Sequence, residues 1–388
     1  MNHCFDKLTD RRNTLSYKWD IKDGELPMWV ADMDFETSPA VKAAVMKKAE
    51  EGIYGYSTTP DELFFAVSGF FGRRHGFAIP TEWMMYSGGV VAAISSVVRR
   101  LTHPNECVLI QAPVYNIFYN CILNNGRRVL SSDLVYENGE YSIDFADLEE
   151  KLSRDETTLF ILCNPHNPVG KLWSREELSR IAELAAKHGV TVLSDEIHCD
   201  FVKPGLSYTP FASVSELSAD ISVSLVSGSK TFNIAGLQSA FAIVKNKQLR
   251  YRVYRGLNND EIGEPNIFSA AANIAAFSSS DEWVDGLVSY VFENKRLACE
   301  YINGRICGLK TVFSDATYLL WIDISALSED SVEFTKELRE KTGLYLSDGE
   351  EYGECGKKFV RMNLATQRER VLDGLERLRA FALQYKKK

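Results

Sequence analysis

Short runs of apolar, β-branched residues recur through the middle of this chain with helix-length segments between them, and this alternation constrains the fold more than any other feature. TLFILC, from Thr158 to Cys163, is too short and too uniformly apolar for an amphipathic helix and predicts a buried strand. Ser174 to His188 then follows helical spacing, with Ser174 and Glu177 placed as a capping box and Gly189 as the stop. VTVLS, from Val190 to Ser194, is the next strand, and similar runs lie at Cys107 to Gln111 and Val223 to Val226. Strand, crossover helix and strand in this order predict parallel neighbours joined by right-handed connections. The expected fold class is α/β, a mostly parallel central sheet flanked by helices.

After about Ser280 the pattern changes. A long helix (Asp281 to Asn303), a strand (Tyr318 to Ile324), a helix (Val332 to Thr342), a strand (Phe359 to Asn363) and a last amphipathic helix predict a smaller α+β domain. At 388 residues the chain exceeds the size at which one core keeps growing, so a division is expected. We divide it into 1–45, an N-terminal segment joining the small domain, 46–280, the large domain, and 281–388, the small domain.

Several function classes are disfavoured. The net charge of −9 is spread over mixed-sign helices, with no basic stripe except Lys386 to Lys388, so no nucleic-acid partner is expected. The N-terminal residues lack an apolar targeting segment and no 18-residue apolar run occurs, which predicts a cytoplasmic protein without a membrane span. Eight cysteines without a C-x-x-C pair and six histidines without H-E-x-x-H signal neither a disulfide framework nor a metal site. A small molecule is the expected partner.

In parallel sheets ligands bind outside the carboxyl ends of the strands, so the residues following each strand are the candidates. Ser87-Gly88-Gly89 follows one strand and opens a helix, whose free N–H groups and dipole suit a phosphate. Pro113 to Tyr115, Asn164 to Gly170 (NPHNPVG), Asp195 to His198 (DEIH) and Ser227 to Lys230 follow the others. A lysine at the mouth of a buried strand loses hydration, which lowers its pKa and makes its amine a nucleophile of the Schiff-base kind. Neither G-x-G-x-x-G nor a P-loop is present, so the phosphate belongs to neither a Rossmann-bound dinucleotide nor a P-loop nucleotide.

LPMWVADMDF (Leu26 to Phe35), YGYS (Tyr54 to Ser57), NPHNPVG, SDEIH, SGSKTFN and FVRMN (Phe359 to Asn363) together resemble the fold-type I pyridoxal-phosphate enzymes. Within them, the chain resembles the MalY/PatB branch of the aminotransferase class I/II superfamily, whose members are cystathionine β-lyase-like carbon–sulfur lyases. The resemblance implies pyridoxal 5′-phosphate as cofactor, with Lys230 as the lysine that holds it and carries the catalysis. It implies Asp195 at the pyridine nitrogen, Asn167 and His198 as donors to the phenolic oxygen, and Tyr115 stacked on the ring. Ser227 and the backbone of Gly89 and Val90 would hold the phosphate, with Tyr56 reaching it from the partner subunit of a homodimer. Many aminotransferases carry an arginine eight positions after the lysine, where this chain has Gln238, so a charge-assisted contact is missing. The resemblance also implies cis bonds before Pro113 and Pro168.

Arg361, on a predicted strand, offers the planar fork that matches an amino acid's carboxylate. These roles imply α,β-elimination from cystathionine, cysteine or another cysteine S-conjugate, giving pyruvate, ammonia and a thiol. The same residues would serve an aminotransferase, and the fold alone would also suit a regulatory protein that binds the cofactor.

Overall fold

The computed structural model describes residues 5–385; Cys4 and the basic run Lys386 to Lys388 lie outside the described residues. A seven-stranded sheet is built from β1 (Met84–Ser87), β2 (Cys107–Ile110), β3 (Arg128–Ser131), β4 (Thr157–Cys163), β5 (Thr191–Asp195), β6 (Ser222–Val226) and β7 (Ala240–Ile243). Its spatial order is β1-β7-β6-β5-β4-β2-β3. All neighbours are parallel except β7, which runs antiparallel to both β1 and β6. Helices cover both faces, which is why β4 is apolar without alternation from Leu159 to Cys163 and every residue of β6, its serines included, is buried.

A second sheet of four antiparallel strands has the order β8-β9-β11-β10, with β8 (Lys310–Thr311), β9 (Leu319–Asp323), β10 (Ser347–Asp348) and β11 (Phe359–Asn363). The short strand Leu26–Pro27 pairs in parallel with Leu344–Tyr345, and the Asn363 backbone N–H donates to Met28 O at 2.8 Å. The chain between 26 and 34 is thereby laid along the small sheet.

Among the helices that position the site, α1 (Pro39–Glu50) and α2 (Asp61–His75) both pack on α6 (Ile267–Ser279). α3 (Val90–Leu101) starts where β1 ends, α4 (Arg175–Lys187) carries the capping box of Ser174 and Glu177, and α5 (Gly228–Thr231) is a single turn after β6. α7 (Asp281–Arg305) buries Val284, Leu287, Val288 and Val291, the i, i+3, i+4, i+7 stripe of an amphipathic helix. Each such side chain contributes about 1.5–3 kcal/mol on burial. The helix runs past Asn303 to Arg305 because no residue there interrupts its hydrogen bonding.

Candidate active site

The carboxyl ends of β1, β4, β5 and β6 open onto a cavity of about 450 Å³. At its β1 end, Gly89 takes φ 131°, ψ 155° as the first cap of α3 with no side-chain hydrogen bond. Only glycine adopts that conformation without strain. The first N–H groups of α3 have no partner within the helix, and Gly89, Val90 and Val91 line the cavity, so a helix N-terminus faces it with its positive end.

Across the cavity Asp195, the last residue of β5, is buried. Burial pushes its carboxyl up to about 7, against the pull of the Ile197 backbone N–H and the Lys230 charge. A buried carboxyl of this kind has the anionic capacity to hold a ring N–H⁺. His198, three residues on, is buried and pushed well below its ordinary value, first by burial and then by the charges of Lys230, Arg361 and Lys295. Its imidazole is therefore neutral, its ring stands edge-on to Tyr318 at 5.6 Å, and its Nδ1 has no partner.

Lys230 reaches the cavity from α5. Burial lowers its amine to about 8; Arg361 adds to that, while Asp32 and Asp195 oppose it. Nζ donates to the Ala31 carbonyl at 2.5 Å, and the same oxygen accepts from Tyr318 Oη at 2.9 Å. Tyr115 lines the cavity, and burial raises its phenol to about 12, so it stays neutral. Its N–H donates to Asn167 O at 3.1 Å, joining the two loops. Cis peptide bonds precede Pro113, Pro165 and Pro168.

Arg361 on β11 is buried beside the cavity. It donates from Nη1 to Asn167 Oδ1 at 3.1 Å and from Nη2 to Trp29 O at 2.9 Å, lies 4.9 Å over the Tyr352 ring, and leaves Nε without a partner. Asn167 thus has its oxygen on Arg361 and its amide group free for another acceptor. One residue sits differently from expectation. The Ser227 hydroxyl donates to Ser239 O at 2.6 Å and accepts from Ser229 N–H at 3.0 Å, capping the single turn of α5, so its proton is not free for a phosphate. Ser229, Gln238 and Ser239 face the cavity instead. Tyr56 is fully exposed on the segment before α2 and lies outside this chain's own cavity.

Sequence reasoning assigned no role to Ala31, Tyr318 or Cys163. Ala31 lies within the WVADMDF motif, but a backbone acceptor has no residue-type signal, and Tyr318 and Cys163 read as core.

A lysine amine, a buried carboxyl, a neutral imidazole and an uncapped helix N-terminus around one cavity define a class: proteins that hold a carbonyl-bearing, anionic group on a lysine at the end of a parallel sheet. The chain belongs to the aminotransferase class I and II family, whose model matches residues 26–378. It is 42% identical to cystathionine beta-lyase PatB of Bacillus subtilis, covering 97% of this chain and 99% of that protein. It is 32% identical to protein MalY of Escherichia coli, with 96% of each chain covered. Among solved structures, cystalysin of Treponema denticola, which contains a pyridoxal 5′-phosphate cofactor, superposes with a TM-score of 0.95 at 31% identity over 99% of each chain.

Proposed function

We propose that this protein is a pyridoxal 5′-phosphate-dependent carbon–sulfur β-lyase, acting on cystathionine, cysteine or a related cysteine S-conjugate. The observation that carries the reading is Lys230: a lysine whose amine is lowered to about 8 sits in a cavity with Asp195 opposite and the bare N-terminus of α3 beside it. The orphaned Nδ1 of His198, the buried carboxyl of Asp195, which accepts from the Ile197 N–H, and the free N–H groups of α3 fit a polar ring with one phosphate. The cofactor, when bound, supplies an aldehyde for an amine to condense with and a ring that accepts the electrons of a bond broken at Cα.

This chain's residues do the rest. Asp195 would hold the ring N–H, His198 and the Asn167 amide would donate to the ring's oxygen, and the α3 N-terminus would take the phosphate. Arg361 orients the substrate carboxylate with its unpaired Nε–H and remaining Nη protons. Lys230 Nζ would move the Cα proton of the bound substrate, and the thiolate would then leave from Cβ. The enamine so released hydrolyses to pyruvate and ammonia.

The test is pyruvate release from cystathionine or cysteine without a keto-acid acceptor, together with a yellow protein that loses its colour on borohydride. Pyruvate that depends strictly on added 2-oxoglutarate would hand the assignment to an aminotransferase. We further propose a cytoplasmic homodimer, supported by the exposed apolar side chains of Ile53, Tyr54, Tyr56 and Phe65. No helix among the described residues is long and apolar enough to cross a membrane. Residues 46–280 are proposed as the cofactor-binding domain, with 1–45 and 281–388 supplying the substrate side.

A further inference from the structure

The residue after Lys230 makes a contact that the chemistry above leaves unused. Thr231 is wholly buried, and its hydroxyl donates to Asp200 Oδ2 at 2.6 Å. Asp200 lies two residues beyond His198, on the turn that leaves β5, where Cys199 N–H donates to Glu196 O and Phe201 N–H to His198 O. One hydrogen bond therefore ties the turn carrying Lys230 to the turn carrying Asp195 and His198.

The acceptor is held in place from a third element. At the end of α2, His75 Nε2 lies 3.0 Å and Arg74 Nε 3.4 Å from Asp200 Oδ1. Burial pushes the Asp200 carboxyl up, yet the hydrogen bond and charge of His75, the charge of Arg74 and the Thr231 hydroxyl hold it below its ordinary value. An ionised carboxylate only accepts, so the Thr231 proton has one place to go and the rotamer of Thr231 is set. The nearby Cys199 thiol is pushed well above its ordinary value, first by burial and then by Asp200 and Glu196, and Arg74 already supplies the counter-charge, so the cluster of His75, Cys199 and Asp200 does not need a cation.

We propose that Asp200 and Thr231 are positioning residues for Lys230, aligning its amine with the cavity by locking α5 to the turn after β5. The inference rests on the reading that Lys230 carries the cofactor. A misplacement of about 1 Å at a reacting group costs as much as a hundredfold in rate, so the bond need only prevent a small rotation of α5 to matter.

The test compares holoenzyme of wild type, Thr231→Val, which keeps the shape and removes the hydroxyl, and Thr231→Ser, which keeps the hydroxyl. Thr231→Val is expected to lower kcat about tenfold with KM nearly unchanged, and to move the pH midpoint of the visible cofactor band by about half a unit or more. Thr231→Ser is expected to return both toward wild type. In apoprotein, labelling of Lys230 by pyridoxal and borohydride, read by mass spectrometry, should fall in Thr231→Val and recover in Thr231→Ser. Asp200→Asn should shift the midpoint in the same direction and is read in place of Thr231→Val should that variant not accumulate. A midpoint and labelling unchanged in whichever of the two folds overturns the proposal, as does a Thr231→Ser that behaves like Thr231→Val. A wild type with no visible band sinks the cofactor reading instead, while the labelling arm still reports on the lysine turn.

Discussion

Asp195 holds its proton to about pH 7 because burial raises it, while the unfolded chain releases the proton near 4. The folded apoprotein therefore binds the extra proton between those values, so this residue's stabilising contribution is complete below about pH 4 and is lost as pH rises through about 7. Asp195→Asn should make the apoprotein more stable than wild type at pH 8 by about 2–4 kcal/mol while abolishing elimination. Thermal denaturation against pH checks it: parallel profiles for the two proteins would count against a carboxyl whose proton is held by burial. At the same scale, Arg361→Ala should weaken amino-acid substrates by about 2–5 kcal/mol and leave the cofactor in place, since Arg361 makes its contacts beside the cavity with Asn167 and Trp29. Equal losses for amino acids and for amines lacking a carboxylate would remove its role as clamp. Lys230, Asp195 and Arg361 stood out in the sequence as candidates because each follows or lies on a short apolar strand whose polarity pattern it breaks, the role of Asp195 coming from the family resemblance. The direction of the Ser227 hydroxyl was not: a serine at a strand end offers its proton to whichever acceptor folding brings nearest, here Ser239 O.

The N-terminal segment is the element whose position depends most on charge. Lys18 and Asp34 are both fully buried and paired at 2.9 Å, with Trp19 Nε1 donating to Asp34 at 2.8 Å and Arg11 at 3.0 Å. Burial pushes Asp34 up, but Lys18 and the hydrogen bonds win and hold it below its ordinary value. Its contribution to stability is therefore present above about pH 4 and is lost as pH falls toward the lower folded value. Lys18→Met should cost about 3–5 kcal/mol, because it leaves a buried carboxylate short of a partner. Urea unfolding at pH 7 measures it; a change within error would mean that Arg11 and Arg370, 3.0 and 3.9 Å from the Asp34 carboxylate, neutralise the site without Lys18. The Ala31 carbonyl rides on this segment, so activity should fall with stability. Among the strands of the large sheet, β3 and β7 escaped sequence reasoning. In β7, AFAI is only four residues of small and apolar type, too short to show a period of its own, and its two antiparallel neighbours identify it as a strand.

At the scale of the molecule, Tyr56 sets the decisive test, because it is fully exposed in one chain and is proposed to complete the partner's cavity. Tyr56→Ala and Lys230→Ala should each be nearly inactive, yet refolding them together should restore about a quarter of wild-type activity, since half the dimers are mixed and one of their two sites is whole. Activity that stays at the sum of the two variants would place Tyr56 outside the site. The sequence by itself determined the α/β class, the lysine and the order of the strand-end motifs, because strand and helix periodicity, capping and turns are set by residues within a few positions of one another. Only the tertiary structure decided which groups meet. Lys230 finds its acceptor 199 positions away at Ala31, Tyr318 reaches the same oxygen across 287, and Arg361 meets Asn167 across 194. Such pairings leave no local pattern, since each depends on how two sheets pack rather than on what either residue's neighbours are.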